Sequence, residues 1–156
     1  MDSTLQRLAA LEDIRNLKAE YCRLIDAAVN SPGPQVAASL GALFADDIVA
    51  DYGAHGSVRG RDALVSFLCE TVPAQWEWAW HSVLTPQIAI DGDHAAGSWV
   101  VYCRGRLRGA QTARVILGRF EDAYRFDGQT WRQTRLKLID ESDQLDVTSA
   151  PMVEPA

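Results

Sequence analysis

Residues 81–139 read HSVLTPQIAI DGDHAAGSWV VYCRGRLRGA QTARVILGRF EDAYRFDGQT WRQTRLKLI, and this stretch decides the fold class. Residues 81–90, 95–104, 113–125 and 130–139 are rich in Val, Ile, Trp and Tyr, side chains that suit a pleated, half-buried surface. Asp91-Gly92-Asp93 and Asp127-Gly128-Gln129 separate two of the joins with residues that favour tight hairpin turns. The remaining join, residues 104–110, sets Gly105 and Gly109 among three arginines and reads as a turn too. Four strands joined by hairpins predict an antiparallel sheet.

Toward the N-terminus the periodicity changes. Leu5, Leu8, Leu11, Ile14, Leu17, Tyr21, Leu24 and Ala28 recur every three or four residues, the period of one buried helical face. Ser3 and Gln6 have capping-box spacing at its start, and Ser31, Pro32, Gly33 and Pro34 stop the helix near Asn30. Val36, Leu40, Leu43 and Phe44 predict a shorter second helix ended by Asp46 and Asp47. Residues 48–52 read as a strand, 53–60 as a loop, and 61–70 as a third helix closed off by Pro73. Helices followed by hairpin-linked strands predict an α+β fold with the helices on one face of the sheet. Residues 1–140 form the expected domain; residues 141–156, poor in apolar side chains, read as a tail that is loosely ordered or covers a partner subunit.

The composition bounds the function. A chain of 156 residues, 47% hydrophobic and 23% charged, fits one ordinary globular domain. Fifteen Lys+Arg against 21 Asp+Glu leave a net charge of −6, so no basic footprint for nucleic acid or an anionic membrane is expected. Cys22, Cys69 and Cys103 are odd in number and far apart, which suggests neither a disulfide framework nor a thiolate metal site. The first dozen residues mix charges and lack the apolar run of a signal peptide, so the expected compartment is the cytoplasm.

No Walker loop, GxGxxG, GxSxG, HExxH or EF-hand pattern is present, and attention falls on three histidines. His55 lies in a glycine-rich loop and His94 beside a hairpin turn, where a solvated histidine is the ordinary outcome. His81 follows Trp76, Trp78 and Trp80 at the start of a strand, and reads either as a core histidine bonded to backbone or as a base in apolar surroundings. Asp26 lies near the end of the first helix, where the macrodipole disfavours a carboxylate and burial requires a partner. It is either solvated or paired, and His81 is the candidate partner. Tyr21 points roughly 140° away from Asp26 around an ideal helix. Both border one cavity only if the helix end projects into a concave sheet. The three tryptophans alternate as a strand face would, and read as core, as interface or as the wall of an apolar pocket.

In order along the chain, several segments together resemble the SnoaL-like branch of the NTF2-like superfamily. They are Leu11-Glu12-Asp13-Ile14-Arg15-Asn16-Leu17, Tyr21 with Asp26, Leu43-Phe44-Ala45-Asp46-Asp47, Val49-Ala50-Asp51-Tyr52-Gly53 and Gly60-Arg61-Asp62-Ala63-Leu64. His81 before a strand, Asp91-Gly92-Asp93-His94-Ala95, Gly118-Arg119-Phe120-Glu121-Asp122 and Asp127-Gly128 with Trp131-Arg132 complete the set. The resemblance implies a cone-like curved antiparallel sheet with about three N-terminal helices enclosing an apolar cavity, commonly assembled as dimers or trimers. Dehydratase-like members use an Asp–His base without metal or organic cofactor, and Asp26 and His81 match that pair by position. Tyr21 matches a tyrosine that often lines the same pocket.

The reading that follows is a cofactor-independent lyase or isomerase acting on a small apolar molecule, with or without a ring. His81, Asp26 and Tyr21 are the expected catalytic residues, Tyr52 and Trp80 the expected substrate-binding ones, and no metal is expected. A non-catalytic module for a hydrophobic ligand and an epoxide-hydrolase-like enzyme using Arg119 or Arg135 with Asp26 are the competing readings.

Overall fold

The computed structural model describes residues 3–142. The proposed tail falls almost wholly on residues 143–156, outside the described residues, as does the Ser3 side chain of the expected capping box. Helix α1 spans Ser3–Asn30 and α2 spans Pro34–Leu43. The Pro32–Pro34 break separates them as expected, the last backbone bond of α1 running from the Ser31 N–H to the Ala27 carbonyl. From Ile14 onward α1 buries Leu17, Tyr21, Leu24, Ile25 and Ala28, whereas Leu5 and Leu8 remain exposed. The apolar period therefore continues past the part of the helix that has a core to meet.

Strand β1, Phe44–Asp51, begins directly after α2, so Asp46 and Asp47 do not end a helix but occupy a strand. Both carboxylates face outward and find cations there: Asp46 pairs with Arg61 at 2.6 Å and Asp47 with Arg125 at 3.0 Å. The ladder is irregular between Phe44 and Val49, which accommodates them. The expected loop at 53–60 contains a short 3₁₀ turn, Gly53–His55, and an edge strand β2, Ser57–Arg59, paired antiparallel to β1. Helix α3, Arg61–Ser66, continues through a π-helical turn, Phe67–Thr71, into α4, Val72–Gln75. Pro73 thus does not close the helix; it sits in the first turn of α4, where its missing N–H is least costly.

Strands β3 (Trp76–Asp91), β4 (His94–Leu107), β5 (Arg114–Phe126) and β6 (Trp131–Asp140) form the predicted antiparallel meander. The sheet order is β2-β1-β6-β5-β4-β3, and β1 pairs with β6 in parallel, so the sheet is mixed rather than wholly antiparallel. The chain leaves β1, crosses through α3 and α4 and returns along the whole meander before β6 meets β1, a long crossover that allows the same direction. The result is an α+β architecture with helices packed into a curved, unclosed six-stranded sheet. Among the described residues no helix is long and apolar enough to cross a membrane.

Candidate active site

The last turn of α1 lies along β3, an edge strand of the sheet. Asn30 donates from Nδ2 to the Ala79 carbonyl at 2.7 Å and accepts the Ala79 N–H at 3.1 Å. One helical turn earlier, Asp26 accepts the His81 backbone N–H on Oδ2 at 3.0 Å. Four helical residues rise about 6 Å and two strand residues about 6.6 Å, so side chains at 26 and 30 reach backbone groups at 81 and 79. The helix end thereby satisfies polar groups that an edge strand otherwise leaves open.

The second oxygen of Asp26, Oδ1, lies 2.7 Å from Nδ1 of His81. A carboxylate only accepts, so Nδ1 carries the proton and Nε2 is left without a protein partner among the described residues. The two side chains are mostly buried, and His81 lines a cavity of about 80 Å³. The helix-end carboxylate is therefore paired, and the pairing fixes both the backbone and the ring of one histidine.

Most of the cavity wall is apolar, contributed by Ile25, Phe67, Leu68, Trp76, Val101 and Phe120 among others. Tyr21 and Tyr52 add polar groups, their hydroxyls 3.0 Å apart and both side chains buried. Burial pushes both phenols above the usual tyrosine range, reinforced at Tyr21 by its phenol neighbour, so both are protonated at neutral pH. One hydroxyl donates to the other, which leaves one O–H free to donate elsewhere. Tyr52 is held by stacking on Phe67 with ring centroids 5.6 Å apart, and Tyr21 by edge contacts to Phe44 and Phe120. Tyr21 and His81 share the cavity although Tyr21 and Asp26 point to different sides of α1, because Asp26 stands behind His81 and not in the wall.

Trp80 is placed differently from expectation. The β3 ladder is irregular between Trp76 and Trp78, which turns Trp76 inward to the cavity with Ala79 and leaves Trp80 outward and 65% exposed. Trp76 is the tryptophan of the wall. His55, read as a solvated bystander, also lines the cavity, with Nε2 buried. His94 is exposed beside Asp93. Arg119 pairs with Glu141 at 3.0 Å and does not join Asp26. Cys103 reaches the cavity too, but burial pushes its thiol up to about 12, and that of Cys22 up to about 11, so neither is a nucleophile at neutral pH. Among the described residues no three His, Cys, Asp or Glu side chains converge as a metal site.

Beneath Tyr21 and Phe120 lies a pair that no sequence motif suggested. Lys18 and Asp122 are fully buried with Nζ and Oδ2 2.8 Å apart, and Tyr124 donates to the same carboxylate at 2.8 Å. Lys18 Nζ also sits over the Phe120 ring, 3.7 Å from its centroid. Burial raises the Asp122 carboxyl above its usual range even though Lys18 and Tyr124 pull it down. The signal was present: Lys18 is four residues after Ile14 and three before Tyr21, on the buried stripe of α1.

A SnoaL-like domain family model matches residues 6–137 of this chain. No curated protein sequence matches it. Among solved structures, LinA is similar with a TM-score of 0.84 at 17% identity, covering 99% of this chain and 99% of that one. The LinA-type3 hexachlorocyclohexane dehydrochlorinase from Novosphingobium barchaimii LL02 gives 0.82 at 17% identity, with 99% of each chain covered. A candidate scytalone dehydratase from Novosphingobium aromaticivorans DSM 12444 gives 0.76 at 19% identity, covering 98% of this chain and 94% of that one.

Proposed function

The chain belongs to the SnoaL-like domain family, and from that premise we propose that it is a lyase or isomerase that removes a proton from carbon with an Asp–His base. The observation that carries this reading is the 2.7 Å contact of Asp26 Oδ1 with His81 Nδ1 at the wall of an apolar cavity. Nε2 of His81 takes the proton of a substrate C–H bond. In an elimination, the electrons of that bond form the new double bond while the leaving group departs with its own bonding pair. In an isomerisation the proton returns to a different carbon. Asp26 remains a carboxylate throughout, orients the ring and stabilises the imidazolium.

Tyr21 and Tyr52 act as one unit, the free O–H donating to the oxygen on which negative charge develops or to the departing group. Such donors gain strength from a dry surround. The apolar wall suits a compact hydrophobic molecule, and the names dehydrochlorinase and candidate dehydratase among the structural neighbours are those of eliminations.

The test is elimination from a panel of cyclic β-hydroxy ketones and alkyl halides, followed by the absorbance of the product alkene. General-base catalysis contributes typically ~10²–10⁴-fold, so His81→Ala and Asp26→Asn should each lower turnover by about that factor with the fold intact. Wild-type turnover in either well-folded variant contradicts the mechanism.

A further inference from the structure

His55 is the one ionisable ring of the cavity wall, besides His81 and the two tyrosines, and the proposed chemistry leaves it without a task. It ends the 3₁₀ turn Gly53–His55, whose backbone is fixed by bonds from His55 N–H to the Tyr52 carbonyl and from Gly56 N–H to the Gly53 carbonyl, both 3.1 Å. Gly53 and Gly56, at φ 59° and 117°, bracket it in backbone conformations that other residues adopt only with strain. The turn follows β1, and β1 and β3 are separated in the sheet by β6, β5 and β4. Only the curvature of the sheet brings His55 and His81 to one cavity, from near opposite edges of the sheet.

Nε2 of His55 is buried, and it has no hydrogen-bond partner among the described residues. A buried ring nitrogen without a partner is costly, and the residue that carries it lines the cavity. The charged groups around the ring are Arg114 and Asp140, themselves 3.6 Å apart. Burial and Arg114 disfavour the imidazolium more than Asp140 favours it, so the ring offers one donor and one acceptor near neutral pH.

We propose that His55 is a second recognition residue of the cavity, hydrogen-bonding an oxygen on the substrate. The substrate class is then a compact apolar ring that carries an oxygen function apart from the carbon that loses its proton. This rests on the cavity being the ligand site proposed above, but not on turnover.

The experiment compares cyclohexanol with methylcyclohexane, similar in shape and differing in one hydroxyl, by NMR titration. In the wild type, cyclohexanol should shift the His55 ring nitrogen resonances and methylcyclohexane should not. The ratio of cyclohexanol to methylcyclohexane affinity should fall by about fivefold to tenfold in His55→Phe, the loss of one hydrogen bond. His55→Gln, which keeps a donor and an acceptor, should restore much of that ratio. An unchanged ratio in His55→Phe, unmoved His55 resonances, or no binding of either probe to the wild type overturns the inference. Should His55→Phe fail to fold, the wild-type resonances decide. Because the readout is binding, a His55 effect in a protein that eliminates nothing overturns only the reaction, and elimination with no His55 effect overturns only this inference.

Discussion

Asp26 shows how a residue that local rules disfavour can be read forward to its partner. A carboxylate among Ile25, Ala27 and Ala28 near a helix C-terminus calls for compensation, and the structure supplies the His81 ring and backbone N–H together. His55 was not legible in the same way, because a glycine-rich loop normally exposes its side chains and only the curvature of the sheet turns this one inward. Its titration gives a test at this scale. Burial, aided by Arg114, holds the folded-state pKa below the ordinary value of 6.5. The unfolded chain then binds a proton that the folded chain resists, so the stabilising contribution is full above about pH 6.5 and is lost as pH falls through the folded pKa. The His55 ring should titrate below 6.5 by NMR. His55→Phe should in turn lose less stability between about pH 7 and about pH 5 than the wild type does. Titration at or above 6.5 contradicts the half-buried placement of the ring near Arg114.

The periodicity of α1 and the turn residues between strands made the long elements readable, whereas their ends were set by partners far along the chain. Phe44 to Asp47 are strand because Phe44 pairs with Gln133 of β6, and Trp76 to Trp80 are strand because β4 pairs with them. Neither partner could be inferred from spacing. Asn30, read only as a helix end, proves to be the clamp between α1 and β3. Asn30→Ala removes both bonds and leaves the Ala79 N–H and carbonyl unpaired in a half-buried place, at a cost of roughly 1–3 kcal/mol. For a chain of this size each 1 kcal/mol lowers Tm by about 2–4 °C. A melting temperature equal to the wild type would show that the helix end is held elsewhere.

Across the whole molecule, the expectation of an α+β fold with helices over a curved sheet agrees with the architecture, and the parallel β1–β6 pair is the part that hairpin signals could not reveal. Hairpins specify neighbours in sequence, and this pair closes a loop spanning most of the chain. The same long-range logic applies to Lys18 and Asp122, which tie α1 to β5 beneath the cavity floor. A buried pair is weak evidence of net stability, but removing one member strands the other charge. Lys18→Met and Asp122→Leu should each cost about 3–5 kcal/mol, and the double variant far less than their sum. Strictly additive losses in denaturant unfolding would mean that the two groups do not compensate each other.

The central claim is that Asp26 fixes the His81 ring with Nδ1 protonated and Nε2 bare toward the cavity. The direct measurement is the tautomer of His81 from its ring ¹⁵N resonances in the wild-type protein at about pH 9, where an ordinary imidazole is neutral. The account predicts the Nδ1–H form in the wild type. A wild-type ring protonated on Nε2 would contradict it, because the nitrogen facing the substrate would then have no lone pair to receive a proton.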